Sequence, residues 1–235
     1  MMIDRWLNID QSAPLEPVCV LCGEQGGAGL DLCHACHFDL PMVETACLQC
    51  AIPLPAAHPG GALCGHCQAD PPPFERCLAP FAYRAPLDHL LQDLKFNRRL
   101  ALARTFGRLM AEWLADHCDG LPERLLPVPL HPARLRERGF NQSLELARPI
   151  ARRLGLPLDI HGCQRLRNTP PQAELSAKQR RGNIKGAFGV TGTPAGHIAI
   201  IDDVMTTGST VRELARTLHK AGANRVEVWV CARAG

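Results

Sequence analysis

Apolar and polar positions along the chain change period several times, and each change marks an element. Leu87, Leu90, Leu91 and Leu94 share one helical face, and the helix runs into the polar stretch Lys95-Phe96-Asn97-Arg98-Arg99. Leu102, Phe106, Leu109, Met110 and Trp113 share another, which predicts a second helix over about 100–117. Before these helices, Phe81-Ala82-Tyr83-Arg84 has the look of a short strand. After them, Leu125 to Leu130 reads as a strand interrupted by Pro127 and Pro129, hence short or at a sheet edge. A helix over about 142–154 stops at Gly155, and Leu158-Asp159-Ile160 opens a further strand. Residues 164–186 form a polar loop that could close as a lid and exclude water. The last third is the most regular: an apolar run Ile198–Ile201, a helix to about Lys220 with Gly222 as its stop, then an apolar run Arg225–Cys231. A strand–helix–strand unit of this length makes parallel strands. The pattern therefore predicts an α/β protein, a parallel sheet flanked by helices.

Composition adds a second, smaller body. At 235 residues and 46% hydrophobic, the chain can bury one ordinary core beside a small domain. Asp70-Pro71-Pro72-Pro73 is a stiff boundary, giving domains at 1–70 and 71–235. Aromatics are only 5%, too few for broad base-stacking platforms. The first residues lack a signal-like apolar stretch, and no run approaches the roughly 20 apolar residues of a membrane span. The expected setting is cytoplasmic, without membrane insertion.

The net charge of +3 conceals an asymmetry: −7 over residues 1–70, balance over 71–123, +9 over 124–185 and +1 beyond. The basic block is mostly arginine, the side chain suited to bidentate phosphate contacts, and it points to a polyanion: pyrophosphate, nucleotide or nucleic acid. A solvated helix face is the plainer account of the same charges.

Twelve cysteines include four Cys-x-x-Cys pairs: Cys19/Cys22, Cys33/Cys36, Cys47/Cys50 and Cys64/Cys67. Two such pairs make one four-thiolate zinc site, so four imply two. Sequential pairing is the simplest arrangement; a cross-brace uses the same residues. A disulfide framework would need an oxidising compartment. A zinc closed by four thiolates is structural, and it supplies folding energy to a segment poor in large apolar residues. His34, His37 and His66 lie beside the knuckles as outer groups. Cys77, Cys118, Cys163 and Cys231 read as buried small residues.

The remaining chemistry gathers around the last strand–helix unit. Asp202-Asp203 follow the apolar run, and Thr206-Thr207-Gly208-Ser209-Thr210 then open a helix. N–H groups and hydroxyls at a helix N-terminus hold an anion, while paired carboxylates take sugar hydroxyls or a Mg²⁺. Upstream, Arg134, Arg136 and Arg138 form an arginine-rich turn before Gly139-Phe140-Asn141 and the next helix. Lys95, Arg98 and Arg99 lie between two helices, in reach of an anion. Phe96, Phe140 and Tyr83 could stack on bases, although core is the simpler place for each.

The segment Asp202–Thr210 resembles the phosphoribosyl pyrophosphate (PRPP) signature of type I phosphoribosyltransferases. Together with the four knuckles, Leu94-Lys95-Phe96, Arg138-Gly139-Phe140-Asn141-Gln142, and Gln172 to Arg180 with Asn183 and Phe188, the whole chain resembles the ComF family. That resemblance implies a type I phosphoribosyltransferase-like sheet behind a double zinc ribbon, with two structural Zn ions and Mg²⁺ arriving with PRPP. It implies ribose contacts from Asp202 and Asp203 and a 5-phosphate cradle from Thr206, Thr207, Gly208, Ser209 and Thr210. Arg134 and Arg138 would hold the pyrophosphate, joined by Lys95 and Arg180. It also implies single-stranded DNA as a partner, in reach of Arg136, Arg138, Arg180 and Arg181, and proteins of the DNA-uptake machinery. Whether a phosphoribosyl group is transferred, and to what acceptor, stays open: no base-reading motif or general base stands out.

Overall fold

The computed structural model describes residues 16–27, 29–55, 61–168 and 184–235. Contacts divide the chain into two compact units, Met1–Asp39 and Leu40–Gly235. In the first, helix α1 (His34–Phe38) starts at Cys33, whose sulfur accepts the Cys36 N–H. The second unit begins with the same device: α2 (Gly65–Ala69) starts at Cys64, whose sulfur accepts the Cys67 N–H.

Beyond the prolines come β1 (Cys77–Leu78) and β2 (Phe81–Ala82), then α3 (Leu87–Phe96) and α4 (Leu100–His117). The predicted helical faces are the buried ones: Leu87, Leu91, Leu94, Leu102, Phe106 and Met110 are at most 0% exposed, each contributing about 1.5–3 kcal/mol of burial. Trp113 is only half-buried, stacked on His117 one turn later. Phe96 departs from the core expectation altogether: it is 72% exposed. The predicted proline-interrupted strand is β3 (Arg124–Pro127).

Residues 132–138 form a helix, α5 (Pro132–Arg138), where a turn was expected. Pro132 at its first position presets φ, the His131 ring accepts the Ala133 N–H, and Gly139 at φ 87° ends it in a conformation that glycine adopts without strain. Helix α6 (Gln142–Leu154) follows, capped by the Asn141 side chain and stopped at Gly155 as predicted.

Leu158 makes only an isolated bridge to Leu125, and the expected strand does not continue. The Asp159 carboxylate instead takes the N–H groups of His161 and Gly162, a local turn that competes with a ladder. The polar loop expected over 164–186 starts in order: β4 (Cys163–Arg165) pairs antiparallel with β5 (Phe188–Val190). Its middle, with Gln172, Lys178, Arg180, Arg181 and Asn183, lies outside the described residues.

The C-terminal unit is β6 (His197–Met205), α7 (Ser209–Lys220) and β7 (Arg225–Arg233). Both strands outrun the predicted apolar runs, and β6 carries Asp202 and Asp203 inside its parallel ladder to β7. The acids are tolerated there because neighbouring side chains bond them. The sheet order is β1-β7-β6-β3, all parallel, with β2 continuing along the β1 edge of β7. Ile198, Ile200, Val226, Val228 and Val230 pack on Val211, Leu214, Ala215 and Leu218 of α7. Residues alternate along strands, so Ala199 and Ile201 turn to the face covered by α4 and α6. Cys47, Cys50 and Cys67 belong to the α7-side cluster, so the second cysteine tetrad is part of that core.

Candidate phosphoribosyl site and zinc centres

The cysteines gather as Cys19/Cys22/Cys33/Cys36 and Cys47/Cys50/Cys64/Cys67, the sequential pairing. Cys22 Sγ lies 3.7 Å from Cys33 Sγ, and Cys50 Sγ 3.7 Å from Cys64 Sγ. Four sulfurs about 2.3 Å from one zinc stand about 3.8 Å apart at tetrahedral angles, so both clusters fit structural Zn²⁺. His34, His37 and His66 are exposed and outside the tetrads. Cys77, Cys163 and Cys231 are buried; Cys118 is half-buried.

At the far end of β6, the two acids meet groups from α3 and α6. Asp202 Oδ1 accepts the Ser143 hydroxyl at 2.9 Å and the Asp203 N–H at 3.0 Å. Asp203 Oδ1 accepts the Gln142 amide at 3.5 Å, and its Oδ2 pairs with the Lys95 ammonium. Arg138 donates to Gln142 Oε1 at 2.6 Å and lies 5.8 Å over the Phe96 ring. Four residues singled out in the sequence, Lys95, Arg138, Asp202 and Asp203, are thus brought into one network. Gln142 and Ser143 complete it. They occupy the first turn of α6, and their role rests on that turn lying beside β6, which spacing alone does not reveal.

The electrostatics follow from crowding two carboxylates. Burial first, and the Asp203 charge second, raise Asp202 to about 7, against the opposing pull of Lys95 and Ser143. Burial also acts to lower Lys95, but the Asp203 carboxylate outweighs it and the net shift is upward. Arg138 is lowered by burial despite Asp203.

After Met205 the loop turns through Gly208, at φ 71°, into α7. Thr207 Oγ1 and Ser209 Oγ are 2.9 Å apart, and the Ser209 N–H approaches Thr207 Oγ1 at 3.4 Å. A small cavity of about 30 Å³ lies in the crook, lined among others by Asp202, Thr206, Gly208, Ser209 and Thr210. Arg233, which carries no sequence signal, braces the loop from β7. It donates to the carbonyls of Met205 at 3.0 Å and Thr206 at 2.7 Å, and through Nε to Cys50 O at 2.9 Å. Arg212 of α7 ties the same side to Asp70.

The other expected bases are placed less centrally. Arg134 is half-buried and Arg136 exposed on α5. Arg98 donates to Glu137 O and Arg99 pairs with Asp93. Phe140 and Tyr83 are half-buried. Among the described residues, no helix is long and apolar enough to cross a membrane.

Residues 14–77 match the Double zinc ribbon domain and residues 141–235 the Phosphoribosyl transferase domain. With the parallel sheet and its acid-ended strand, these matches make the chain a zinc-ribbon protein of the phosphoribosyltransferase class. DNA utilization protein YhgH of Salmonella typhimurium is 41% identical over 207 residues, covering 86% of this chain and 90% of that protein. Competence protein F of Haemophilus influenzae is 36% identical over 179 residues, covering 73% and 78%. The chain belongs to the ComF family, which these competence and DNA-utilization proteins share. Among solved structures, glutamine PRPP amidotransferase from B. subtilis, complexed with ADP and GMP, aligns at a TM-score of 0.38 and 18% identity, over 54% of this chain and 26% of that one.

Proposed function

We propose that the chain binds PRPP with Mg²⁺ at the Asp202–Asp203 end of β6 and serves the handling of single-stranded DNA in the cytoplasm during DNA uptake. The supporting observation is the convergence of Lys95, Gln142 and Ser143 on two buried acids beside a hydroxyl-lined helix start. Asp202 and Asp203 would accept the ribose hydroxyls. Thr206 to Thr210 would hold the 5-phosphate through hydroxyls and the N–H groups of a first helical turn. Arg134 and Arg138, with Arg180 beyond the described residues, would face the pyrophosphate. Lys95 would release Asp203 to the sugar and turn its charge to the phosphates. The all-oxygen donor set suits Mg²⁺, which when bound neutralises charge on the leaving pyrophosphate. The link to DNA uptake draws on the names of the relatives, and on the basic residues Arg136, Arg138, Arg180 and Arg181.

A second reading is an active phosphoribosyltransferase with an unidentified acceptor. Asp202 favours it, because a carboxyl near pH 7 is poised to exchange a proton at neutrality. Calorimetry of PRPP·Mg²⁺ on wild type and Asp203→Asn tests the site. Binding that weakens at least about tenfold in the variant, a loss of about 1.4 kcal/mol, is expected. Wild type giving no heat would overturn the proposal. Pyrophosphate release in an acceptor screen separates the enzyme from the binding protein.

A further inference from the structure

Helices α4 and α6 cross so closely at Gly107 that a Cβ there would stand 2.7 Å from the Leu146 carbonyl and 2.9 Å from Pro149 Cγ. Beside this crossing lies an open groove of about 470 Å³. Its lining carries four guanidiniums, Arg104 and Arg108 of α4 with Arg152 and Arg153 of α6, against the single carboxylate of Glu112. Arg104, Arg152 and Arg153 are exposed and Arg108 is half-buried. None of these residues belongs to the Asp202–Asp203 network. Gln142 opens α6 and Arg152 stands ten residues later, about 15 Å along the helix.

We propose that this groove is a second binding surface, taking the phosphodiester backbone of single-stranded DNA independently of the PRPP site. The charge is complementary, and guanidinium forks match phosphate oxygens in pairs. No aromatic side chain lines the groove, so contacts would follow the backbone and ignore base identity. Cations favoured at a helix C-terminus would account for Arg152 and Arg153. They would not account for Arg104 and Arg108, which lie in the second and third turns of α4, far from its C-terminus.

The inference rests on the DNA-handling reading above, and the experiment separates the two. Fluorescence anisotropy would follow a labelled oligothymidylate, and a duplex of equal length, across a salt series. In Arg104→Gln/Arg108→Gln/Arg152→Gln/Arg153→Gln, single-strand affinity is expected to fall about tenfold or more. The slope of log K against log salt should become shallower by about 2 to 3, with PRPP binding unchanged. Glu112→Gln should tighten binding about two- to threefold, and it decides the matter if the fourfold variant does not fold. Affinity within a factor of two of wild type in the fourfold variant overturns the groove, as does an equal or larger loss on duplex. Wild type that binds no oligonucleotide removes both readings. Binding that survives in the fourfold variant and disappears in Arg136→Gln/Arg138→Gln rejects the groove alone.

Discussion

A carboxyl that titrates near neutrality ties folding to pH. Asp202 holds its proton up to about 7 in the folded chain, whereas an aspartate in an unfolded chain titrates near 3.9. Its contribution to stability is therefore complete below about pH 3.9 and is lost as pH rises through about 7. Asp202→Asn removes that decline and keeps an oxygen to accept the Ser143 hydroxyl. In the ligand-free protein the variant should melt several degrees above wild type at pH 8, with the gap narrowing steadily toward pH 4. A constant or reversed gap in thermal melts would contradict the assignment. At this scale the sequence disclosed the groups that act by charge: Lys95, Arg138, Asp202 and Asp203 all stand out by type and position. It marked Gln142 only as the last residue of a motif that carries the family resemblance, and it was silent on Arg233. An uncharged amide at a helix start and an arginine near a strand end have many uses, and only tertiary proximity selects one.

Periodic burial made two helices legible, since one apolar stripe fixes both the existence and the inward face of α3 and of α4. Where local chemistry competed with pattern, the reading failed in both directions. Asp159 diverted an apolar segment into a turn, while Pro132 and Gly139 together bounded a helix in a polar, arginine-rich stretch. Strand β6 ran past its apolar residues because α3 and α6 supply partners for its acids. The α4–α6 crossing is the element-level feature most open to test. Gly107→Ala would gain a little helix propensity but forces a methyl against a backbone carbonyl and a proline ring. A net loss of about 1–3 kcal/mol in urea unfolding is expected. Since α6 also positions Gln142 and Ser143, PRPP affinity should drop in parallel.

Across the whole molecule, the knuckles that look alike in sequence fall to different units: the first tetrad lies within Met1–Asp39, the second within Leu40–Gly235. The second shares a core with α7, and its Cys50 carbonyl takes the Nε–H of the arginine that braces the loop between β6 and α7. Losing that metal should therefore injure the sheet itself. Cys50→Ser is expected to carry one zinc per chain instead of two and to lower the main thermal transition by about 10 °C or more, measured by metal analysis and calorimetry. An unchanged transition would make the second tetrad an appendage.

Among the described strands, β1 and β2 pair with β7 alone, and Phe81 of β2 also bridges Met42. On a ribosome, β1 and β2 emerge early and β7 last. Until β7 arrives, the two short edge strands are tied to residues 41–49, through Val43 N–H to Pro80 O and Ala82 N–H to Pro41 O, and lack their place in the sheet. A nascent chain stalled before Arg225 would hold its zinc ligands and its acids, with β3 beside β6 but no strand to join β1 and β2 to them.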